Sequence, residues 1–154
     1  MITITRKMEF DAGHRVLGHE GKCQNLHGHR YVAELTVRVP KLDDLGRVID
    51  FGVVKEKVGG WIDGVLDHNM LFHPDDPMLH IDLPIMTKAL CGREPFVMPD
   101  GENPTAENIA KLIALQSMNL LGPTYFIVRV RIYETPNCWA DWTNNATEPT
   151  ATDR

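Results

Sequence analysis

The chain has 154 residues, of which 43% are hydrophobic and 24% charged, and its formal net charge is −5. This length and composition predict one globular domain with a hydrophobic core. The negative charge and the lack of a Lys/Arg run argue against nucleic-acid binding, and no segment of the sequence is long and apolar enough to predict a membrane span. The N-terminus lacks the apolar stretch of a signal peptide, and the three cysteines lack a disulfide-framework spacing, so we expect a cytoplasmic protein.

Two strands are predicted at the start of the chain. Hydrophobicity alternates from Ile2 to Ala12, and His14 continues the apolar parity. A second alternating run extends to Val39, and His27 and His29 share its apolar parity. The sequence therefore predicts two strands whose histidines point to one side.

Two helices are predicted next. The first follows Asp50, a candidate N-cap, and its apolar positions recur at helical spacing: Val54, Val58, Trp61 and Val65. The second is predicted to open at Asn103-Pro104, with Asn103 as the cap and Pro104 at the first helical position. Its inner stripe is formed by Ile109, Leu112, Ile113 and Leu120. The proline-rich segment 72–101 lacks periodicity, which predicts a long inserted loop that covers a pocket.

Two further strands are predicted near the end of the chain. One starts at about Tyr125, with Phe126, Val128, Val130 and Ile132 on one face and Glu134 next on that face; the other contains Cys138, Ala140 and Trp142. The order of two strands, two helices and two strands predicts an α+β domain over residues 1–142, with an antiparallel four-stranded sheet covered by the helices on one face. Residues 143–154 are predicted to be a polar tail.

Three histidines suggest a metal site. His27 and His29 are two residues apart on a strand and point the same way, while His14 continues the parity of the other strand. Neutral imidazoles suit zinc, and three protein ligands with an open position are the pattern of a catalytic site.

Cys23 has two interpretations. As a fourth ligand it would close a tetrahedral structural site, and as a thiol near a cation it would act as a proton acceptor with a lowered pKa. Asp67-His68 is a candidate catalytic pair, and Glu134 is a candidate carboxylate facing the cleft. Cys91 and Cys138 are predicted to be packing residues, because neither has partner histidines at ligand spacing.

Two other classes of protein fit part of the pattern. Gly21, His27, His29 and Glu34 are similar to the first half of a cupin metal motif, which would imply an all-β metalloenzyme. The amphipathic helices and the missing second half disfavour that interpretation. A non-catalytic binding module stabilised by a closed zinc site that includes Cys23 is the other alternative.

Five motifs together resemble the 6-pyruvoyl-tetrahydropterin synthase / 6-carboxy-5,6,7,8-tetrahydropterin synthase family. They occur in the family's order from the first strand to about Trp142. The motifs are Phe10-Asp11-Ala12-Gly13-His14, Cys23-x-x-x-His27-Gly28-His29, Leu66-Asp67-His68, Asn103-Pro104-Thr105-Ala106-Glu107-Asn108 and Glu134-Thr135.

The resemblance implies the tunnelling fold and a Zn²⁺ cofactor bound by His14, His27 and His29. It also implies a homo-oligomer with active sites at subunit interfaces and a small pterin as substrate. Arg15 and Lys22 are candidate contacts for a substrate triphosphate.

The resemblance further implies the roles of five residues. Cys23, Asp67 and His68 would be catalytic and transfer protons, while Glu134 and Thr105 would bind the pterin. Arg30 is a third candidate for the triphosphate. The implied substrate is 7,8-dihydroneopterin triphosphate, and the implied lyase products are 6-carboxy-5,6,7,8-tetrahydropterin, triphosphate and acetaldehyde, on the route to queuosine and other 7-deazaguanines. In the 6-pyruvoyl-tetrahydropterin branch of the family, which belongs to the biopterin pathway, the side chain stays attached.

Overall fold

A computed structural model describes residues 1–81, 85, 88 and 92–145. In this part of the chain the strands are β1 (Thr3–His14), β2 (His27–Arg38), β3 (Asn69–Phe72), β4 (Phe96–Val97), β5 (Phe126–Thr135) and β6 (Cys138–Thr143). They form one sheet in the order β4-β3-β1-β2-β5-β6.

The predicted four-stranded sheet is wrong in its strand count. The four antiparallel strands β1, β2, β5 and β6 are those expected from the sequence. Strands β3 and β4 extend the sheet beyond β1 by parallel pairing. With 4 and 2 residues they are too short to show alternation in the sequence.

The first helix, α1, covers 51–65. Two α-helical segments, Phe51–Val54 and Gly60–Val65, flank a π-helical turn, Lys55–Gly59. The carboxylate of Asp50 accepts a hydrogen bond from the Gly52 amide, which confirms the predicted cap.

The second helix, α2, covers Ala106–Leu121, and its predicted start at Asn103 is wrong. Thr105 is the cap, and its hydroxyl accepts a hydrogen bond from the Asn108 amide. The side chain of Asn103 instead binds the backbone of Leu17, so it is not available to cap the helix.

The helices cover one face of the sheet. The core is formed by the side chains on the predicted apolar faces of β1 and β2 and by the apolar stripes of both helices. It includes Phe10, Tyr31, Leu35, Val58, Ile62, Ile109 and Ile113. This arrangement confirms the α+β class and excludes the all-β cupin alternative.

The predicted inner face of β5 needs one correction. The β2–β5 register shifts between Thr36 and Val37, which pair with Arg129 and Ile127. Val128 is the extra residue of this bulge, so Ile127 is fully buried in place of the expected Phe126 and Val128, which are both only partly buried. The bulge restores the expected parity from Val130 onward.

The predicted loop 72–101 is partly described and is not without structure. It contains β4 and two short 3₁₀ helices, Pro77–His80 and Pro99–Gly101. Residues 82–84, 86–87, 89–91 and 146–154 lie outside the described residues, so Cys91 and most of the predicted tail do too. No helix in the described residues is both long and apolar enough to cross a membrane.

Candidate active site

The three predicted metal ligands lie together where β1 ends and β2 begins. His14 and His27 are paired in the ladder, and His29 follows on the same face. The Nε2 atoms of His14 and His27 are 3.1 Å apart, and the candidate ligand atoms of all three histidines lie within 4.8 Å of one another. The paired ends of the two strands thus form the cluster.

Backbone carbonyls orient two of these imidazoles. The Nδ1–H of His14 donates to the Pro104 carbonyl at 2.7 Å, and the Nδ1–H of His27 donates to the Asn25 carbonyl at 2.8 Å. A neutral imidazole that donates from Nδ1 presents a lone pair at Nε2. Two lone pairs therefore face each other, which is the arrangement that a shared cation stabilises.

The electrostatics of the cluster also fit a cation. Burial lowers the pKa of His14 and of His29, so both imidazoles are neutral near pH 7 and can coordinate a metal. The Nε2 atom of His29 is buried and has no hydrogen-bond partner among the described residues. Zinc–nitrogen bonds of about 2.0–2.1 Å place tetrahedral ligands about 3.3 Å apart, near the observed His14–His27 separation.

Glu134 lies beside this cluster. Its Oε1 atom is 3.5 Å from Nε2 of His14 and 3.7 Å from Nε2 of His29. Its possible salt-bridge partners are engaged elsewhere, because Arg129 lies 3.4 Å from Glu34 and Arg131 binds Asp141 at 2.7 Å. The Glu134 carboxylate is therefore available at the metal end of the site.

A cavity of about 230 Å³ adjoins the cluster. It is lined by Cys23, Thr105, Glu107 and Glu134, together with residues of the β5–β6 edge. Cys23 lies on a 3₁₀ turn, Lys22–Gln24, and is partly exposed. The cavity brings together the predicted thiol and both predicted pterin-binding residues.

Cys23 stands outside the metal cluster. Among the described residues, the group close enough to share an ion contains His14, His27 and His29 without the thiol. This geometry favours the open three-ligand site over the closed structural site. The prediction for Cys138 is wrong, because its side chain is exposed at the start of β6 instead of packed.

Glu107 is a further candidate site residue, which the sequence pattern did not single out. It lies in the first turn of α2 and lines the same cavity as Glu134. The signal was present in the sequence, since Glu107 belongs to the Asn103–Asn108 motif. The helical periodicity gave no reason to single it out.

Asp67 and His68 form the predicted pair at the turn between α1 and β3. The Asp67 carboxylate binds Nδ1 of His68 at 2.6 Å and accepts a hydrogen bond from the Asp11 amide at 2.8 Å. Burial alone would raise the pKa of the Asp67 carboxyl, but these two hydrogen bonds, together with the charges of His68 and Arg93, outweigh it and the pKa is lowered. His68 has a positive φ of 53°, and 76% of its side chain is exposed.

This pair does not lie in the Cys23 cavity of its own chain. Neither Asp67 nor His68 lines that cavity. The pair lies beside Asp11, whose parity on β1 is opposite to that of His14. Within one chain, the predicted catalytic thiol of Cys23 and the predicted catalytic histidine, His68, therefore lie in different places.

The candidate triphosphate contacts differ in their environment. Arg15 binds the fully buried Asp76 at 2.7 Å, so its charge is already compensated. Arg30 lies 3.0 Å from Glu9, and this pairing raises the pKa of its guanidinium. Lys22 is adjacent to Cys23 in the chain and is exposed.

Comparison with known proteins identifies relatives over nearly the whole chain. A family model described as 6-pyruvoyl tetrahydropterin synthase matches residues 3–145. The 6-carboxy-5,6,7,8-tetrahydropterin synthase of Rickettsia felis is 43% identical over 143 residues, covering 92% of this chain and 99% of the relative. The protein of the same name from Aquifex aeolicus is 31% identical over 160 residues, covering 90% and 96%.

Solved structures share the fold. An uncharacterized protein from Wolinella succinogenes superimposes with a TM-score of 0.76 at 24% identity, covering 93% of this chain and 98% of that chain. The 6-pyruvoyl tetrahydropterin synthase of Caenorhabditis elegans gives a TM-score of 0.65 at 23% identity, covering 93% and 95%. At these identities the likeness concerns the fold alone.

Proposed function

Because the chain belongs to the 6-pyruvoyl tetrahydropterin synthase family of enzymes, we propose that it is a lyase that converts 7,8-dihydroneopterin triphosphate to 6-carboxy-5,6,7,8-tetrahydropterin. One water is consumed, triphosphate and acetaldehyde leave, and the product enters the route to queuosine and other 7-deazaguanines. The observation that carries this proposal is the near full-length match to relatives of the 6-carboxy name, at 43% identity in Rickettsia felis.

The cofactor in this proposal is Zn²⁺, held by His14, His27 and His29. The facing Nε2 atoms 3.1 Å apart and the unpartnered Nε2 of His29 support this ligand set within the described part of the chain. A bound Zn²⁺ supplies a Lewis acid that acidifies the hydroxyls of the substrate side chain and the adjacent C–H bonds. The carbonyls of Pro104 and Asn25 keep two of the ligands in the coordinating tautomer.

Cys23 is the proposed proton carrier. Its position in the cavity wall, outside the histidine group, supports this role over that of a fourth ligand. As a thiolate, Cys23 takes a proton from a side-chain carbon of the substrate and returns it to another position.

The proposed pterin pocket uses the remaining cavity residues. Glu134 and Thr105 line it, and Glu107 adds a second carboxylate. The amino group and ring N–H of a pterin are adjacent donors, which a carboxylate accepts as a pair. Because Oε1 of Glu134 lies within 3.7 Å of two proposed metal ligands, Glu107 is the carboxylate more available to accept the hydrogen bonds of the pterin amino group and ring N–H.

The proposed enzyme is a homo-oligomer whose active sites combine two chains. In this proposal Asp67 keeps the Nδ1–H tautomer of His68, which leaves Nε2 to exchange protons with the Cys23 thiol of a neighbouring chain. The exposure of His68 and its separation from the cavity of its own chain support this arrangement. A cytoplasmic location stays a prediction from cysteine usage.

The 6-pyruvoyl branch is the second candidate function, since the matching family model carries that name. Incubation of the zinc-loaded protein with 7,8-dihydroneopterin triphosphate, followed by mass spectrometry, separates the two candidates. We expect the mass of 6-carboxy-5,6,7,8-tetrahydropterin. A 6-pyruvoyl product would support the second candidate, and unchanged substrate would contradict both.

A further inference from the structure

The side chain of Asn103 connects two distant parts of the chain. Its Oδ1 accepts a hydrogen bond from the Leu17 amide at 2.7 Å, and its Nδ2 donates to the Leu17 carbonyl at 3.1 Å. The amide group thus satisfies both polar groups of one residue in the connection between β1 and β2. Such a two-point contact fixes the position and the orientation of that backbone.

Val16, the residue before Leu17, connects this contact to Cys23. The amide of Val16, which precedes Leu17, donates to the Cys23 carbonyl at 2.8 Å. Cys23 is therefore hydrogen-bonded to Val16, and Val16 directly precedes Leu17, the residue that Asn103 binds.

The same segment also contacts a metal ligand and the helix start. The carbonyl of Asn103 accepts hydrogen bonds from the Thr105 amide at 2.8 Å and from Nδ2 of Asn108 at 2.9 Å. The carbonyl of Pro104 accepts the Nδ1–H of His14 at 2.7 Å. The segment 103–105 is thus a joint between the thiol loop, the histidine cluster and the N-terminus of α2.

We propose that Asn103 is a positioning residue that holds Cys23 at a fixed place relative to His14 and the cavity. The catalytic consequence rests on the proposed function, but the positioning itself does not. The residue acts through Leu17 and Val16 and does not touch the substrate.

The reactivity of Cys23 toward iodoacetamide tests this proposal without any turnover. Alkylation rates are measured peptide by peptide on the full chain, with the exposed Cys138 as the internal reference. In Asn103→Ala we expect the ratio of the Cys23 rate to the Cys138 rate to rise about tenfold, because two hydrogen bonds that restrain the loop are lost. Asn103→Asp keeps the acceptor for Leu17 N–H and loses the donor, so its rise should be smaller.

Asn69 provides the matched control. It is buried and its Nδ2 donates to two backbone carbonyls, those of Val65 and Glu94, at 3.0 and 3.3 Å. Asn69→Ala should leave the alkylation ratio unchanged. An unchanged or lower ratio in Asn103→Ala, or an equal rise in Asn69→Ala, would overturn the proposal.

Kinetics then separate positioning from general instability. In Asn103→Ala we expect kcat to fall while KM for the pterin and the zinc content stay near wild type, since the Pro104 carbonyl still holds His14. A kcat equal to that of wild type would overturn the catalytic consequence. If the alkylation ratio rises but the wild-type protein leaves the pterin unchanged, the proposed function fails and the positioning stands.

Discussion

The Nε2 atoms of His14 and His27 lie 3.1 Å apart although both imidazoles donate from Nδ1 to backbone carbonyls. Two acceptors at this separation repel each other unless a cation or a proton lies between them. Burial of His14 lowers its pKa and disfavours the proton, which leaves the cation as the partner that fits.

The first prediction concerns His27. We expect His27→Ala to abolish stoichiometric zinc binding and turnover while circular dichroism stays near that of wild type, because the hydrophobic core does not include this partly exposed residue. Zinc content after gel filtration is the measurement. His73→Ala is the control, since His73 lies outside the cluster in the loop after β3. Full zinc occupancy of His27→Ala would contradict the ligand set.

The second prediction separates the two interpretations of Cys23. In Cys23→Ala we expect zinc content to equal that of wild type and kcat to fall about 10²- to 10⁴-fold, the range for loss of a general acid–base group. If Cys23 were instead a structural zinc ligand, the substitution would release the zinc and lower the stability of the fold. Loss of zinc with a lowered Tm would therefore favour the closed site.

The third prediction concerns the two carboxylates of the cavity. We expect Glu107→Gln to raise KM for the pterin with zinc affinity unchanged, because Glu107 lines the cavity and is not part of the metal cluster. Glu134→Gln should raise KM and also weaken zinc binding, since its Oε1 lies 3.5 Å from Nε2 of His14. Competition with a chromophoric chelator measures the zinc affinity. Equal zinc affinities in the two variants would contradict the placement of Glu134 at the metal end.

The fourth prediction is a pH dependence at Asp67. The folded-state pKa of its carboxyl is lowered, so its ionised form contributes stability that is present above the unfolded value of about 3.9 and is lost as pH falls through the folded value. We expect Asp67→Asn to lower Tm at pH 7, and we expect this difference to shrink as the pH falls below about 3.9. Thermal melts of both proteins across this range check the sign. A Tm difference that grows toward low pH would contradict it.

The histidine cluster is predictable from the sequence because its members lie in regular strands. Side-chain parity has a period of two, so the apolar parity that His14 shares with β1, and that His27 and His29 share with β2, is enough to assign all three to one face. The same reasoning fails at Val128, where a bulge adds one residue. Sequence periodicity carries no information about such an insertion.

Other parts of the site depend on long-range contacts that periodicity does not encode. The sequence pattern predicts helix capping for Asn103, whereas its side chain binds Leu17, which lies 86 residues earlier in the chain. Strands β3 and β4 are short and pair in parallel, so the place of β3 beside β1 depends on the crossover through α1 and the place of β4 depends on the connection that follows β3. The separation of His68 from the cavity follows from that same crossover, which local sequence patterns do not reveal.

The fifth prediction tests the shared active site. Cys23→Ala and His68→Ala should each be inactive, but a mixture that is unfolded and refolded together should recover up to about a quarter of wild-type activity. One site in four then combines an unmutated Cys23 from a His68→Ala chain with an unmutated His68 from a Cys23→Ala chain. Separately refolded variants mixed afterwards are the control. No recovery in the co-refolded sample would contradict a site built from Cys23 of one chain and His68 of another.

The most direct test of the proposed activity is the ratio of acetaldehyde to triphosphate released from 7,8-dihydroneopterin triphosphate by the zinc-loaded protein, with Cys23→Ala as the inactive reference. The proposed function predicts one acetaldehyde for each triphosphate and 6-carboxy-5,6,7,8-tetrahydropterin as the pterin product. Triphosphate released without acetaldehyde would assign the protein to the 6-pyruvoyl branch. No release of either compound by a protein with full zinc occupancy would contradict the proposed function in both its forms.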